Sequence, residues 1–502
     1  MGSASPDPIA TDILIIGAGL AGINCAYRLQ TQAPHARIAV LEARADIGGT
    51  WNIFQYPGIR SDSDLHTYGF AWEPWPYTSP IAEGPLILSY LHSCVAKYNL
   101  DRHIHLQHRV ERCDWSSEAK TWTVRVNDHS EADGAGAART KVYEAAFVVL
   151  ATGYYDYDEP LPTTIPGLHE RFQGKVVHPQ FWPTDYDFAD KEVVVIGSGA
   201  TAITLIPNLA PTAKHVTMLQ RSPTYIHAIT NRSPADTWTL SFLIPKRVKQ
   251  WLNWLYFAII PFYQVTLSLR YPEVAKKTIL KHMADQLPAD ISTDPHFTPR
   301  YNPWQQRLCL TPEGDFFKCL HSQGGKPAKA GVVTAKIETA IEDGILCEDG
   351  QKLKADVIVT ATGLKMLFGG GIPIRVDGEL IDPAKHVMWE GCMLNDVPNL
   401  MHMLGYAWAS WTVGVDDTAI LLCRLWNDMQ KRRQRMAVPT YAGNLEEQEK
   451  GSWIALNSTY VKKSSFPTTL THAAGPWKAR GNVWLDWIHA RFGSVRRSLV
   501  VS

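Results

Sequence analysis

Two glycine turns, 180 residues apart, constrain this chain more than any other feature. The first, Gly17-Ala-Gly-Leu-Ala-Gly22, follows the apolar run Asp12-Ile-Leu-Ile-Ile16 and opens a small-residue helix around residues 23–30. A second apolar run, Arg37-Ile-Ala-Val-Leu-Glu42, comes next. The other turn, Gly197-Ser-Gly-Ala-Thr-Ala202, follows Glu192-Val-Val-Val-Ile196 and opens a helix running to about Leu209. It is followed in turn by His215-Val-Thr-Met-Leu-Gln220. Strand, glycine turn, helix and strand, repeated, predict an α/β chain with two Rossmann-like units. A GxGxxG alone is a weak signal; after a strand and before a helix it has a mechanical meaning. Gly17 allows the tight turn, Gly19 lets the backbone approach a pyrophosphate, and Gly22 lets helix and strand pack closely. The helix N-terminus faces the negative charge. Gly197, Gly199 and Ala202 fill those places in the second copy, with Thr201 among them.

The ends of the two second strands separate the ligands. Glu42 stands 20 residues after Gly22. Its carboxylate can accept both ribose hydroxyls of an unphosphorylated adenosine and would repel a 2′-phosphate, so the first unit suits FAD or NAD. The second unit has neutral Gln220 there, followed by Arg221 and Ser222. That pair can hold a 2′-phosphate by charge-assisted hydrogen bonds, so the second unit suits NADPH.

Lys plus Arg equals Asp plus Glu at 49 each in 502 residues, so no global field draws the chain to nucleic acid. The eight cysteines are scattered, without a CxxC pair or a His at zinc spacing. They read as reduced, mostly buried thiols of a cytoplasmic protein, and no metal site is expected. The start has no basic region followed by an apolar core, so no signal peptide is expected. The longest apolar stretch, residues 251–267, is interrupted by Asn253, Pro261 and Gln264. It predicts a buried or surface-lying helix rather than a span; peripheral membrane contact is possible but not expected.

Each glycine unit is followed by an apolar strand running into Ala-Thr-Gly, at residues 148–153 and 357–363. These look like the boundary turns where the nucleotide domains of flavoprotein oxidoreductases meet. The expected layout is a FAD-binding domain at 1–153 and 364–502 and an NADP-binding domain at 154–222 and 305–363. An all-helical insertion is expected at 223–304, where Trp, Leu, Tyr and Lys recur at helical spacing. Residues 128–139 read as an exposed hairpin loop.

Two longer motifs narrow the class. One is Gly48-Gly49-Thr50-Trp51-Asn-Ile-Phe-Gln-Tyr56-Pro57-Gly58-Ile-Arg60-Ser-Asp62. The other is Phe172-Gln-Gly174-Lys-Val-Val-His178-Pro-Gln-Phe-Trp182-Pro183, before the second glycine unit. On these the chain resembles the type I Baeyer-Villiger monooxygenases of the class B flavin monooxygenases. Related N- and S-oxygenating enzymes share the Phe, Gly and His of the second motif but typically lack its Trp-Pro ending. Tyr301-Asn-Pro-Trp304-Gln-Gln-Arg307-Leu-Cys-Leu310 and residues 408–412 resemble the branch that activates thioamide prodrugs.

The resemblance implies FAD, with contacts from Gly17, Gly19, Gly22, Glu42, Gly49, Thr50, Trp51, Asp62 and Val110. It implies NADPH at Gly197, Gly199, Thr201, Ala202, Arg221, Ser222 and Arg307. It also implies oxygen insertion from O2 next to a ketone carbonyl through a C4a-peroxyflavin, giving an ester or lactone, with side sulfoxidation. Arg307 would be the fixed cation of the reaction and Asp62 would orient it. Phe172, Gly174, His178 and Trp182 would form the domain linker, His178 coupling domain movement to catalysis. Many family members carry Lys before the catalytic Arg, where this chain has Gln306; NADPH preference is then either weaker or rests more heavily on Arg221. The alternatives are an N- or S-oxygenating flavin monooxygenase and a flavin disulfide reductase, the latter disfavoured because no CxxC follows the first unit. The partners implied are a small ketone or sulfide and O2.

Overall fold

The computed structural model describes residues 7–130, 138–239, 241–306, 308–406, 408–443, 470–472 and 475–502. Both predicted units form, each around its own sheet. In the first, the strand Ile9–Ile16 pairs in parallel with Ile38–Leu41 on one side and with the C-terminal half of Arg139–Leu150 on the other. The antiparallel strands His108–Ser116 and Thr121–Asp128 extend that sheet. Ile104–His105, which pairs with Ile38–Leu41, and three short strands from the last third of the chain, Ile374–Val376, Glu379–Leu380 and Leu400–His402, complete it at nine. The second sheet is wholly parallel, in the order Ala330–Thr334, His215–Gln220, Glu192–Ile196, Val357–Thr360, Lys175–Val177.

Strands buried on both faces explain the unbroken apolar runs. Ile13 and Ile15 point into one cluster with the Leu20–Gln32 helix, while Leu14 and Ile16 point into another. Val193 and Val195 alternate in the same way with Val194 and Ile196. The Trp411–Lys431 helix packs on the Leu20–Gln32 helix, where Arg28 grips Asp416 through two hydrogen bonds of 2.7 and 2.8 Å.

The stretch expected to be all-helical opens instead on a strand, Ile226–Ile229. It pairs in parallel with Cys309–Pro312 across the whole insertion. The helices between them are Pro234–Thr237, Lys246–Arg270, Pro272–Ala284 and Thr293–His296. The longest runs 25 residues through Pro261, and by length and composition it is apolar enough to cross a membrane. It nevertheless sits on the protein. Asn253 accepts from Ala235 N at 2.9 Å and donates to Asp236, and Gln250 donates to the Trp75 carbonyl at 3.2 Å. Of its residues only Asn253 and Val265 are buried, so of the two expected forms the surface-lying one occurs. Thr121–Asp128 and Arg139–Leu150 form the expected hairpin, whose tip at 131–137 lies outside the described residues. All eight cysteines are free, seven of them buried.

Candidate functional site

The two glycine turns are built alike, and the two Ala-Thr-Gly strand ends are their floors. Gly17 N donates to the Leu41 carbonyl at 2.7 Å and Gly197 N to the Leu219 carbonyl at 2.9 Å. At Gly17, φ is +106° and an added Cβ would lie 2.5 Å from the Ala151 carbonyl oxygen; at Gly197, φ is +136° and a Cβ would strike the Ala361 carbonyl. Each turn therefore needs glycine, and it sits directly on the alanine of the strand end beside it. Gly19 and Gly199 cap the two helices in extended conformation. A Cβ at Gly199 would meet nothing within 4 Å, leaving space where an anion can approach the backbone. Gly19 faces a third glycine turn: Gly49, φ +53°, lies so close that its Cβ would come 3.1 Å from the Gly19 Cα.

Glu42 is buried at the end of its strand. Its carboxylate accepts from Ala18 N at 2.8 Å and from Arg44 N at 3.0 Å, and each oxygen keeps lone-pair capacity for a sugar hydroxyl. Gln220, at the corresponding position of the second sheet, turns inward and donates to the His296 carbonyl at 2.7 Å and Thr334 Oγ1 at 2.9 Å. That leaves Arg221 and Ser222, both exposed, at the strand end. Ser198 Oγ donates to the Ser222 carbonyl at 2.9 Å, tying this corner to the glycine turn.

Between the units lies a cavity of about 370 Å³. Gly17, Gly19, Glu42, Gly49, Thr50, Trp51, Asp62 and Val110 line it, together with Thr201 and Leu310 from the second unit. Gly22 and Ala202 lie beneath the turns, while Gly197, Gly199, Arg221 and Ser222 form no part of this wall. The motif from Gly48 to Asp62 joins the two units. Gly58 packs against Asn208, Tyr56 stands beside Thr201, and Arg60 is ion-paired with Asp315. Burial pushes the Tyr56 phenol up to about 12. Arg307 lies outside the described residues; three positions along the chain, Leu310 reaches the cavity wall.

The second motif is chiefly architectural. Phe172 packs in the core of the second sheet, and Gly174 leaves room for the Asp356 carbonyl, to which Lys175 N donates at 3.0 Å. This docks the edge strand Lys175–Val177. His178 ends that strand, accepting from Gln180 N at 3.2 Å, and Trp182 stacks on Phe188 with ring centroids 4.9 Å apart.

Several cavity residues were not anticipated. Tyr154 and Trp411 stack at 4.8 Å, Tyr157 OH meets Thr50 Oγ1 at 3.1 Å, and Trp51 Nε1 donates to Tyr68 OH at 3.0 Å. Arg109 and Arg44 share Asp158 at the rim. The signal for the tyrosines was the run Tyr154-Tyr-Asp-Tyr157 directly after the Ala-Thr-Gly turn; the Arg pair had none, because it is assembled from distant segments.

His402 is a second unanticipated group. It pairs with Leu150 in the first sheet as His178 follows Val177 beside Val359 in the second, so each unit sets a histidine next to its Ala-Thr-Gly turn. His402 is 3% exposed, and among the described residues neither ring nitrogen has a hydrogen-bond partner. Desolvation lowers it to about 4, against a slight opposing pull from the Gly153 backbone. A histidine depressed when folded is neutral in both states above its ordinary value. Below that value the unfolded chain takes up the proton first, so stability is lost as pH falls from about 6.5 towards 4. Between pH 6.5 and 5 this site alone should cost about 2 kcal/mol. Denaturant melts of His402→Leu should show that much less acid loss than the wild type; identical pH dependence would refute the assignment.

Fold and site define a protein with two dinucleotide units facing one cavity. A family model described as pyridine nucleotide-disulphide oxidoreductase matches residues 14–250. The FAD-containing monooxygenase EthA of Mycolicibacterium smegmatis is 38% identical over 485 residues, covering 96% of this chain and 95% of that protein. The probable FAD-binding monooxygenase AlmA of Acinetobacter baylyi is 39% identical over 485 residues, covering 95% and 92%. The chain belongs to this family of FAD-containing monooxygenases. In fold it is similar to cyclohexanone monooxygenase crystallised with ε-caprolactone (TM-score 0.74, 20% identity, 98% of this chain and 100% of that one). It is equally similar to an oxidized steroid monooxygenase bound to NADP (TM-score 0.74, 20% identity, 98% and 99%).

Proposed function

We propose that this flavin monooxygenase is a Baeyer-Villiger enzyme, using FAD, NADPH and O2 to insert one oxygen atom beside a ketone carbonyl. The observation that carries the reading is the Gly48–Asp62 motif: it lines the cavity and also holds the two nucleotide units together through Gly58 and Arg60. The residues present fit both cofactors. The close-packed turns at Gly19 and Gly49 both line the cavity with side-chain-free backbone that suits a pyrophosphate, Glu42 suits an unphosphorylated ribose, and the corner at Gly199, Arg221 and Ser222 suits a 2′-phosphate. Bound flavin, once reduced by NADPH, supplies the activation of O2.

The chain's own residues do the rest. Trp51, Tyr154 and Trp411 wall the cavity with aromatic surface and exclude water. On the resemblance, the Arg307 guanidinium is assigned to the negative charge that develops on the substrate carbonyl oxygen, with Asp62 orienting it. The five-segment division of the chain into FAD, NADP and insertion parts is proposed on the membership of the two sheets. The eight free thiols fit a reducing compartment.

The deciding experiment supplies the FAD-loaded enzyme with NADPH, O2 and a panel of ketones and sulfides. Esters or lactones one oxygen heavier than the ketone support the proposal. Sulfoxides or N-oxides without any ester would assign the chain to the N- and S-oxygenating group instead. The nucleotide assignment has its own test. Arg221→Ala should raise KM for NADPH about tenfold or more, the worth of one charge-assisted contact, and leave NADH turnover unchanged. A variant with the wild-type NADPH to NADH ratio would remove Arg221 from that role.

A further inference from the structure

The Lys246–Arg270 helix keeps large apolar side chains in solvent. Val248, Trp251, Tyr256, Ile260, Tyr263 and Leu267, between 37% and 60% exposed, cover about half of its circumference. Its protein side carries the buried Asn253 and Val265, with Phe257 stacked on His66. A surface helix of a globular protein ordinarily keeps its apolar stripe against the core and turns polar side chains outward. The turn before it adds Phe242 and Leu243, at 76% and 66%. The charge of the segment is equally one-sided: residues 241–284 contain seven Lys or Arg and one acidic residue, Glu273, within a chain whose net charge is zero.

We propose that this face of the helical insertion is a docking surface for an anionic lipid bilayer, with the helix lying in the plane of the interface. Trp and Tyr are the residues that favour the headgroup boundary, and the basic side chains at both helix ends, Lys246, Arg247 and Arg270, suit anionic lipid. Two other occupants fit less well. A second copy of this chain would bring two basic segments together in a self-complementary contact, which like charge opposes. Spanning would require the inner face to leave its contacts with Trp75, Ala235 and Asp236 and carry Asn253 into hydrocarbon. The docking does not depend on which reaction the enzyme runs. On the protein side of the helix, Phe262 meets Trp408 with ring centroids 6.3 Å apart, three residues before Trp411 on the cavity wall.

The full chain should sediment with phosphatidylcholine vesicles that contain phosphatidylglycerol, bind pure phosphatidylcholine vesicles more weakly, and be released by alkaline carbonate. The double variant Trp251→Glu/Tyr263→Glu should lose binding at least about tenfold while keeping its FAD content and melting temperature. Lys246→Glu/Arg247→Glu should lose the preference for the anionic vesicles. Failure of the wild type to sediment, unchanged binding by both variants, or resistance to carbonate would overturn the proposal. So would a lipid-free dimer that the Trp251→Glu/Tyr263→Glu pair dissociates.

Discussion

Gly22→Ala should purify with about tenfold less FAD than the wild type and unfold at lower denaturant, whereas Gly199→Ala should keep its FAD and its stability. Both positions belong to glycine turns and both substitutions add one methyl group, but their surroundings differ. A Cβ at Gly22 would collide with the Gly17 carbonyl, and Gly17 cannot yield, because it is held at φ +106° over the Ala151 carbonyl. The Leu20–Gln32 helix would have to lift off the Ile9–Ile16 strand, loosening the packing of Ile23, Cys25 and Ala26. Overpacking of this kind costs on the order of 1–3 kcal/mol. The same displacement moves the helix N-terminus at Gly19 away from the pyrophosphate, and about 1.4 kcal/mol of lost contact there is a tenfold loss of affinity. At Gly199 an added Cβ would meet nothing within 4 Å and φ is −82°, so the methyl group enters only the open space proposed for the second nucleotide. Its effect should be confined to KM for NADPH. Full FAD content in Gly22→Ala after desalting, read from the flavin absorbance, would show that the first turn does not bind as described.

That contrast also shows where the sequence was informative. Glycine turns are legible because they are backbone features: the φ and the close approach at Gly17 and Gly197 leave no other residue possible, and the flanking strands are buried on both faces and therefore unbroken. The positions proposed to sort the ligands, Glu42 and Arg221, could be picked out for the same reason, each standing at a fixed distance from its turn. What depends on distant pairing was hidden. The strand Ile226–Ile229 looked like part of a helical insertion because its partner, Cys309–Pro312, comes some eighty residues later. Arg44, Arg109 and Asp158 meet only after three segments of the first unit have folded. His402 sits inside the apolar run Leu400-Met-His-Met-Leu404, and no local pattern marks it as a buried ionisable group. Hydrophobic periodicity, likewise, reports that the Lys246–Arg270 helix has an apolar stripe without telling which way the stripe faces.

Arg307→Ala should leave reduction of the flavin by saturating NADPH within a few-fold of the wild type while cutting ester or lactone formation by about two to three orders of magnitude. The second figure is what a single pre-placed donor contributes when negative charge develops on oxygen in a water-poor site, roughly 3–4 kcal/mol. Saturating nucleotide is needed because Arg307 is also assigned to NADPH, and its loss should raise KM. Oxygen consumption should continue in the variant, with the electrons appearing as hydrogen peroxide instead of organic product. Arg307→Lys should recover only part of the loss, because an ammonium keeps the charge but not the planar fork. Asp62→Asn should fall between the wild type and Arg307→Ala, since it removes the carboxylate that orients the guanidinium but leaves the cation. The separation of reduction from oxygenation distinguishes this role from a structural one: a residue needed only to hold the cavity together would depress both half-reactions and FAD content in parallel. Anaerobic stopped-flow reduction and product analysis on the same preparation make that comparison, and undiminished ester formation by Arg307→Ala would place the reacting cation elsewhere.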